Sequence, residues 1–159
     1  HHLAIEAIDG ASAGDVIVID NGGRTDVSCW GEILGNAAKI KGIEGVVIDG
    51  AARDIDDNEA IGFPVYARAA VPRTARGRIM QESYNCLIQL SGVQVRPGDI
   101  VVGDKSGIVI IPQERFEEAL TLAEQIFEKE MAMVEKIRQG LPLLDVDRQS
   151  NYEQMLNKK

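Results

Sequence analysis

Arg53 and Asp54 stand side by side after the apolar run Gly45-Val46-Val47-Ile48-Asp49-Gly50-Ala51-Ala52. That run reads as a strand buried on both faces, and the carboxyl end of such a strand is where open α/β sheets present groups to ligands. A guanidinium holds a planar carboxylate or steadies an enolate oxygen through its fork of donors. A carboxylate is a hard oxygen ligand for Mg²⁺ or Mn²⁺, ions that keep several of their waters. The same pair reads equally well as a helix start, with Asp54 or Asp56 capping residues 55–61 and Arg53 in solvent.

Trp30-Gly31-Glu32-Ile33-Leu34 forms a second candidate group. At a helix start the first amides have no partner inside the helix and the dipole favours negative charge, so a carboxylate can sit there. Gly31 would let it approach the backbone; alone, the stretch is better read as a packing glycine beside Trp30. Glu32 suits the first turn in any case, and could also hold a metal-bound water. Asp104, among turn glycines, reads as a turn residue, and Asp20 and Asp49 as strand-end or supporting groups. A nucleophilic triad is disfavoured because both histidines, His1 and His2, lie at the extreme start. Lys39, Lys41 and Lys105 sit in polar surroundings unsuited to a Schiff base, and there is no Gly-x-x-x-x-Gly-Lys-Ser/Thr phosphate loop.

The elements that must position these residues follow from periodicity. Residues 3–9 have helical spacing, with Leu3, Ala7 and Ile8 on one side. Val16-Ile17-Val18-Ile19 reads as a buried strand broken by Asn21-Gly22-Gly23. A helix is expected from near Ser28 to Gly42, with Ile33, Leu34, Ala37, Ala38 and Ile40 as its apolar face. After the strand at 46–48 come a short acidic helix ending at Gly62 and a strand at 63–69. A long arm from Pro72 to Ser83 carries Arg73, Arg76 and Arg78. Strands are expected within 85–95, at 100–102 and at 108–111, with a tight turn over Gly103–Gly107. Gly-Asp-Val-Ile-Val-Ile-Asp at 14–20 rhymes with Gly-Asp-Ile-Val-Val-Gly-Asp at 98–104, which points to shared turn-plus-strand chemistry rather than a repeat. The clearest helix runs from Pro112 to Gly140, with Phe116, Leu120, Ala123, Phe127, Met131, Val134 and Ile137 at three- and four-residue steps. A weaker helical set, Tyr152, Met155 and Leu156, lies in the tail.

Composition bounds the function. The 159 residues amount to one domain's worth of chain, with 45% hydrophobic and only 4% aromatic residues, so the core must be aliphatic. A formal charge of −8 argues against nucleic acid as a partner. No apolar stretch approaches a membrane span and no leader is recognisable, so the expected setting is the cytoplasm, with no membrane partner. Cys29 and Cys86 lack metal spacing and read as reduced core thiols.

Taken together, Gly31-Glu32-Ile33-Leu34, the interval from Glu32 to Arg53-Asp54, Gly62-x-Pro64-Val65 and Gly103-Asp104-x-x-Gly107 resemble the RraA-like family. That family includes 4-hydroxy-4-methyl-2-oxoglutarate/4-carboxy-4-hydroxy-2-oxoadipate aldolases and the regulator of ribonuclease E activity A. The match runs from about Ile8 to Pro112.

The resemblance implies an α/β fold, a three-layer β/β/α domain of the swivelling type with a long C-terminal helix. Residues 1–140 would form the domain and 141–159 a tail packing on it or on a neighbouring subunit, in a homotrimer or homohexamer. It implies a class II pyruvate aldolase acting on a small 4-hydroxy-2-oxo acid, with oxaloacetate decarboxylation as a side activity. Gly31, Glu32, Ile33 and Leu34 would hold the pyruvate carboxylate through backbone amides, and Arg53 the pyruvyl oxygen. Asp54 would face a divalent cation, Mg²⁺ or Mn²⁺, and Glu32 stands where the aldolases often carry aspartate. Glu130 is the local candidate for a glutamate lent by a neighbouring subunit. Relatives normally carry a further N-terminal segment, so an incomplete start is expected here. The rival reading is a non-catalytic regulator that binds ribonuclease E.

Overall fold

The computed structural model describes residues 4–156. Its chain divides into two compact units between Ile110 and Ile111. In the first, α1 (Ile5–Gly10) leads into β1 (Val16–Ser28), α2 (Glu32–Lys41), β2 (Gly45–Ala52), α3 (Ile55–Ala60) and β3 (Val65–Ala70). These strands form a parallel sheet of order β1-β2-β3, so the aliphatic β2 lies in its centre and every one of its residues is buried. Two short hairpins follow: β4 (Ile88–Leu90) with β5 (Val93–Val95), and β6 (Ile100–Asp104) with β7 (Gly107–Ile111).

The twofold alternation of strand side chains builds three layers. Ile17, Val46 and Ile48 point to one face and pack with Ile8, Trp30, Ala38 and Phe63 of the helical layer. Val47 points to the other face and packs with Leu90 and Val95 of the first hairpin, supported by Val16, Val18, Tyr66, Val101 and Ile108. Helices, parallel sheet and hairpins therefore stack as β/β/α, as expected.

Several details depart from the sequence reading. Asn21-Gly22-Gly23 does not end β1; the strand continues to Ser28 through register shifts between Asp20 and Arg24 and between Arg24 and Ser28. α2 begins at Glu32 rather than near Ser28, because Ser28 ends β1 and the Cys29 amide is held on the Ala51 carbonyl of β2 at 3.0 Å. Its buried face is Gly35 and Ala38, with Leu34 partly buried, whereas Ile33 and Ile40 are 71% and 87% exposed. The rhyming segments do share a turn: the Asp15 carboxylate accepts the Ser12 amide at 2.8 Å, and that of Asp99 accepts the Arg96 amide at 2.8 Å. Asp104 is a turn residue, accepting the amides of Ser106 and Gly107. Leu3, expected in the first helix, lies outside the described residues.

The second unit consists of a 3₁₀ turn (Gln113–Arg115), the long α4 (Phe116–Arg138), α5 (Leu143–Ser150) and α6 (Tyr152–Leu156). α5 turns back along α4, burying Val146 completely, and the Lys136 ammonium donates to the Gln149 side chain at 3.3 Å. The Tyr152 hydroxyl donates to Glu130, and that hydrogen bond raises the phenol above its ordinary range. No α4 residue is buried, so its apolar periodicity marks a face and not a core.

Candidate functional site

β2 ends at Ala52 and delivers Arg53 and Asp54 beside the start of α2. The Arg53 amide donates to the Trp30 carbonyl at 2.9 Å, which fixes the height of the pair against the turn before α2. Asp54 stands at the N-cap position of α3 but makes no side-chain cap there. Its backbone is left-handed, φ 54° and ψ 45°, an unusual conformation for a residue with a Cβ. The carboxylate instead reaches across to α2, where Oδ2 accepts the Glu32 amide at 3.0 Å. Arg53 lies against the same carboxylate, Nη1 at 3.0 Å from Oδ2. The expected cap of residues 55–61 is therefore not made by the Asp54 side chain: Asp54 begins α3 by position, and its carboxylate caps α2 instead.

Gly31 makes this approach possible. A Cβ on it would lie 2.8 Å from Asp54 Oδ2 and 3.1 Å from Arg53 Nε, too close for any other residue without displacing the pair. Its φ of −159° is ordinary extended backbone, so the requirement is space and not conformational freedom. Gly31, Glu32, Arg53 and Asp54 are therefore gathered in one place. Ile33 and Leu34 are not: the Ile33 side chain is in solvent and that of Leu34 packs toward the core, leaving only their first-turn amides, which have no partner inside the helix. The Glu32 carboxylate is on the exposed side of α2.

Among the described residues no group of three or more His, Cys, Asp and Glu side chains could cage a metal. A hydrated hard cation needs less: one or two protein carboxylates, with water and substrate oxygens completing the shell. Half-buried Asp54, at a strand end beside a cationic side chain that suits a carboxylate substrate, fits that donor chemistry and not a closed cage.

Other ionisable residues are committed elsewhere. Lys41 donates to the carbonyls of Ile8 and Asp9 at the end of α1, and Lys39 to the Gly62 carbonyl at 3.1 Å. Arg73 leans toward Asp26, 3.8 Å away, while Arg78 donates to the Thr74 and Arg76 carbonyls and so shapes its own loop. Burial pushes the Cys29 thiol up to about 12, so it stays un-ionised.

Sequence reasoning missed two features. One is Asn58, 1% exposed under the Arg53-Asp54 turn; its signal was an amide four residues after Asp54, in a short helix that otherwise faces the core with Ile55 and Ile61. The other is the trio Asp49, Arg68 and Ser91. Asp49 Oδ2 accepts the Ser91 amide at 2.6 Å, Arg68 Nε donates to Oδ1, and Arg68 Nη2 donates to the Ser91 hydroxyl at 2.9 Å.

The family model described as RraA-like, Aldolase/RraA, matches residues 1–110. The chain belongs to the RraA-like family. A putative 4-hydroxy-4-methyl-2-oxoglutarate aldolase of Halalkalibacterium halodurans is 40% identical over 125 residues, covering 76% of this chain and 57% of that protein. A crystal structure of an uncharacterized Pseudomonas syringae protein superposes with a TM-score of 0.86 at 34% identity, over 89% of this chain and 71% of that one. The RNA-processing inhibitor RraA from Thermus thermophilis superposes with a TM-score of 0.61 at 27% identity, over 70% and 69% of the two chains. The chain spans little more than half the length of curated relatives such as the Halalkalibacterium protein. Among the described residues no helix is long and apolar enough to cross a membrane.

Proposed function

We propose that the chain carries the active site of a divalent-metal-dependent class II pyruvate aldolase that cleaves a 4-hydroxy-2-oxo acid, 4-hydroxy-4-methyl-2-oxoglutarate or a close analogue. The observation that carries this reading is the convergence of Arg53 and Asp54 on the start of α2, with Gly31 leaving room for them. The names of relatives that are putative aldolases support it. Asp54 would hold Mg²⁺ or Mn²⁺, which supplies Lewis acidity toward the 2-oxo acid. The first-turn amides of α2 and the Arg53 guanidinium would take the substrate's carboxylate and its 2-oxo oxygen. Loss of the C4 hydroxyl proton to a water near Glu32 breaks the C3–C4 bond, and the electron pair passes to the C2 oxygen. The products are the second oxo acid and a pyruvate enolate whose charge Arg53 stabilises before C3 is protonated. Oxaloacetate would lose carbon dioxide from C4 through the same enolate, as a side activity. A homotrimer or homohexamer in which Glu130 reaches a neighbour's site belongs to the same proposal.

The test is pyruvate release from 4-hydroxy-4-methyl-2-oxoglutarate with Mg²⁺ or Mn²⁺, repeated after EDTA. Metal-dependent release supports the aldolase. No release from any 4-hydroxy-2-oxo acid, together with capture of a ribonuclease E, would favour the regulator reading, to which the likeness to the Thermus inhibitor points.

A further inference from the structure

Asn58 lies in the middle of α3, four residues after Asp54. Its Nδ2 donates to the Asp54 carbonyl at 2.7 Å, and its own backbone amide donates to that same carbonyl at 3.1 Å. On its other side Oδ1 accepts the Trp30 indole N–H at 3.4 Å. Trp30 is itself pinned by stacking on Phe63, ring centroids 5.8 Å apart, and the Phe63 amide donates to the Asn58 carbonyl at 2.9 Å. Room for the carboxamide comes from Gly35, where an added Cβ would fall 1.9 Å from Oδ1. One buried side chain therefore ties together the turn before α2, a groove in α2 and the backbone of Asp54.

We propose that Asn58 is a positioning residue that holds Asp54 in its left-handed turn and so keeps the Asp54 carboxylate on the Glu32 amide. The chemistry at its two ends requires a carboxamide: a donor is needed toward the Asp54 carbonyl and an acceptor toward the indole. Aspartate would keep the acceptor and set a carboxylate against the carbonyl. Leucine would fill the space and satisfy neither end. With Asp54 free to leave its turn, its carboxylate would no longer stand beside Arg53 and α2. The catalytic consequence rests on the proposed aldolase site; the positioning itself does not.

The experiment compares ¹H–¹⁵N spectra of the purified wild type, Asp54→Gly, Asn58→Leu and Asn58→Asp, with pyruvate release measured on the same samples. Asp54→Gly marks where the Glu32 amide resonance lies once its carboxylate acceptor is gone, because glycine tolerates the left-handed turn. Both Asn58 variants are expected to move the Glu32 resonance most of the way to that position, and to lower pyruvate release at least tenfold. A merely structural role would confine the changes to Trp30 and Phe63. A Glu32 resonance that stays in place in both variants overturns the proposal. Should Asn58→Leu fail to fold, the isosteric Asn58→Asp decides. A wild type that releases no pyruvate would overturn the aldolase reading, and the Glu32 comparison would still decide whether Asn58 positions Asp54.

Discussion

Two arginine–aspartate pairs form at β2 and just past its end, and they differ in what their partners leave unsatisfied. Asp49 is buried, and its carboxylate is fully engaged by Arg68 from β3 and by the Ser91 amide from the turn between β4 and β5. Five residues on, Asp54 is only half-buried, pairs with its own chain neighbour Arg53, and takes one amide from α2, the helix before the strand. The first pair joins two strands to a hairpin, and both oxygens of its carboxylate, 9% exposed against 24% for Asp54, are engaged. The second joins little, keeps Arg53 donors open to solvent, and holds an unusual backbone at Asp54. Charge pairs of identical composition, one inside the sheet and one just past the end of β2, therefore divide into one that builds the fold and one whose exposure suits the proposed substrate site.

Substitutions can break this comparison. Arg53→Ala is expected to lower pyruvate release by about 10²- to 10³-fold, the usual cost of losing a donor to a developing oxyanion, with little change in the unfolding midpoint. Gly31→Ala should cost about 10²-fold, since its Cβ would displace the Asp54 carboxylate and a misplacement of about 1 Å is that expensive; steady-state kinetics on a folded variant checks it. Asp49→Ala should act in the opposite way, removing about 2 kcal/mol of stability in urea denaturation by orphaning the Ser91 amide.

The Asp49 pair also leaves a signature in acid. The Arg68 guanidinium, followed by the Ser91 amide, holds the Asp49 carboxyl below its ordinary range. The folded state then binds fewer protons than the unfolded state, so this stabilisation is fully present above about pH 4 and is lost as pH falls further. Asp49→Ala should lack that part of the acid slope. The smallest expected effect is at Asp54: Asp54→Gly should be about 1 kcal/mol more stable than Asp54→Ala, because glycine accepts the left-handed turn. Equal stabilities would mean that the turn stores no strain.

Much of this arrangement was legible in the sequence. The aliphatic run Val46-Val47-Ile48 of β2, the strand-end position of Arg53-Asp54, the Asp104 turn and the long α4 follow from local patterns that tertiary packing did not override. The boundaries of α2 and its buried face did not, because sheet pairing claims Ser28 and Cys29, and close contact with α3 buries Gly35 in place of Ile33 and Ile40. Asp49 and Arg68 were invisible as a pair, since only the register of β2 with β3 and the return of the hairpin bring them together with Ser91. Asn58 was hidden for the same reason. Its partners Trp30 and Gly35 lie on another element, and no spacing rule connects them.

The central claim is that Arg53 and Asp54, and not Arg68 and Asp49, form the working site. Metal-dependent pyruvate release from 4-hydroxy-4-methyl-2-oxoglutarate, measured before and after EDTA in wild type, Arg53→Ala and Arg68→Ala, tests it most directly. The expected result is release that EDTA abolishes and Mg²⁺ restores, lost in Arg53→Ala and retained in Arg68→Ala under conditions where both are folded. Release that survives EDTA, or that persists in Arg53→Ala while disappearing in folded Arg68→Ala, would contradict the account.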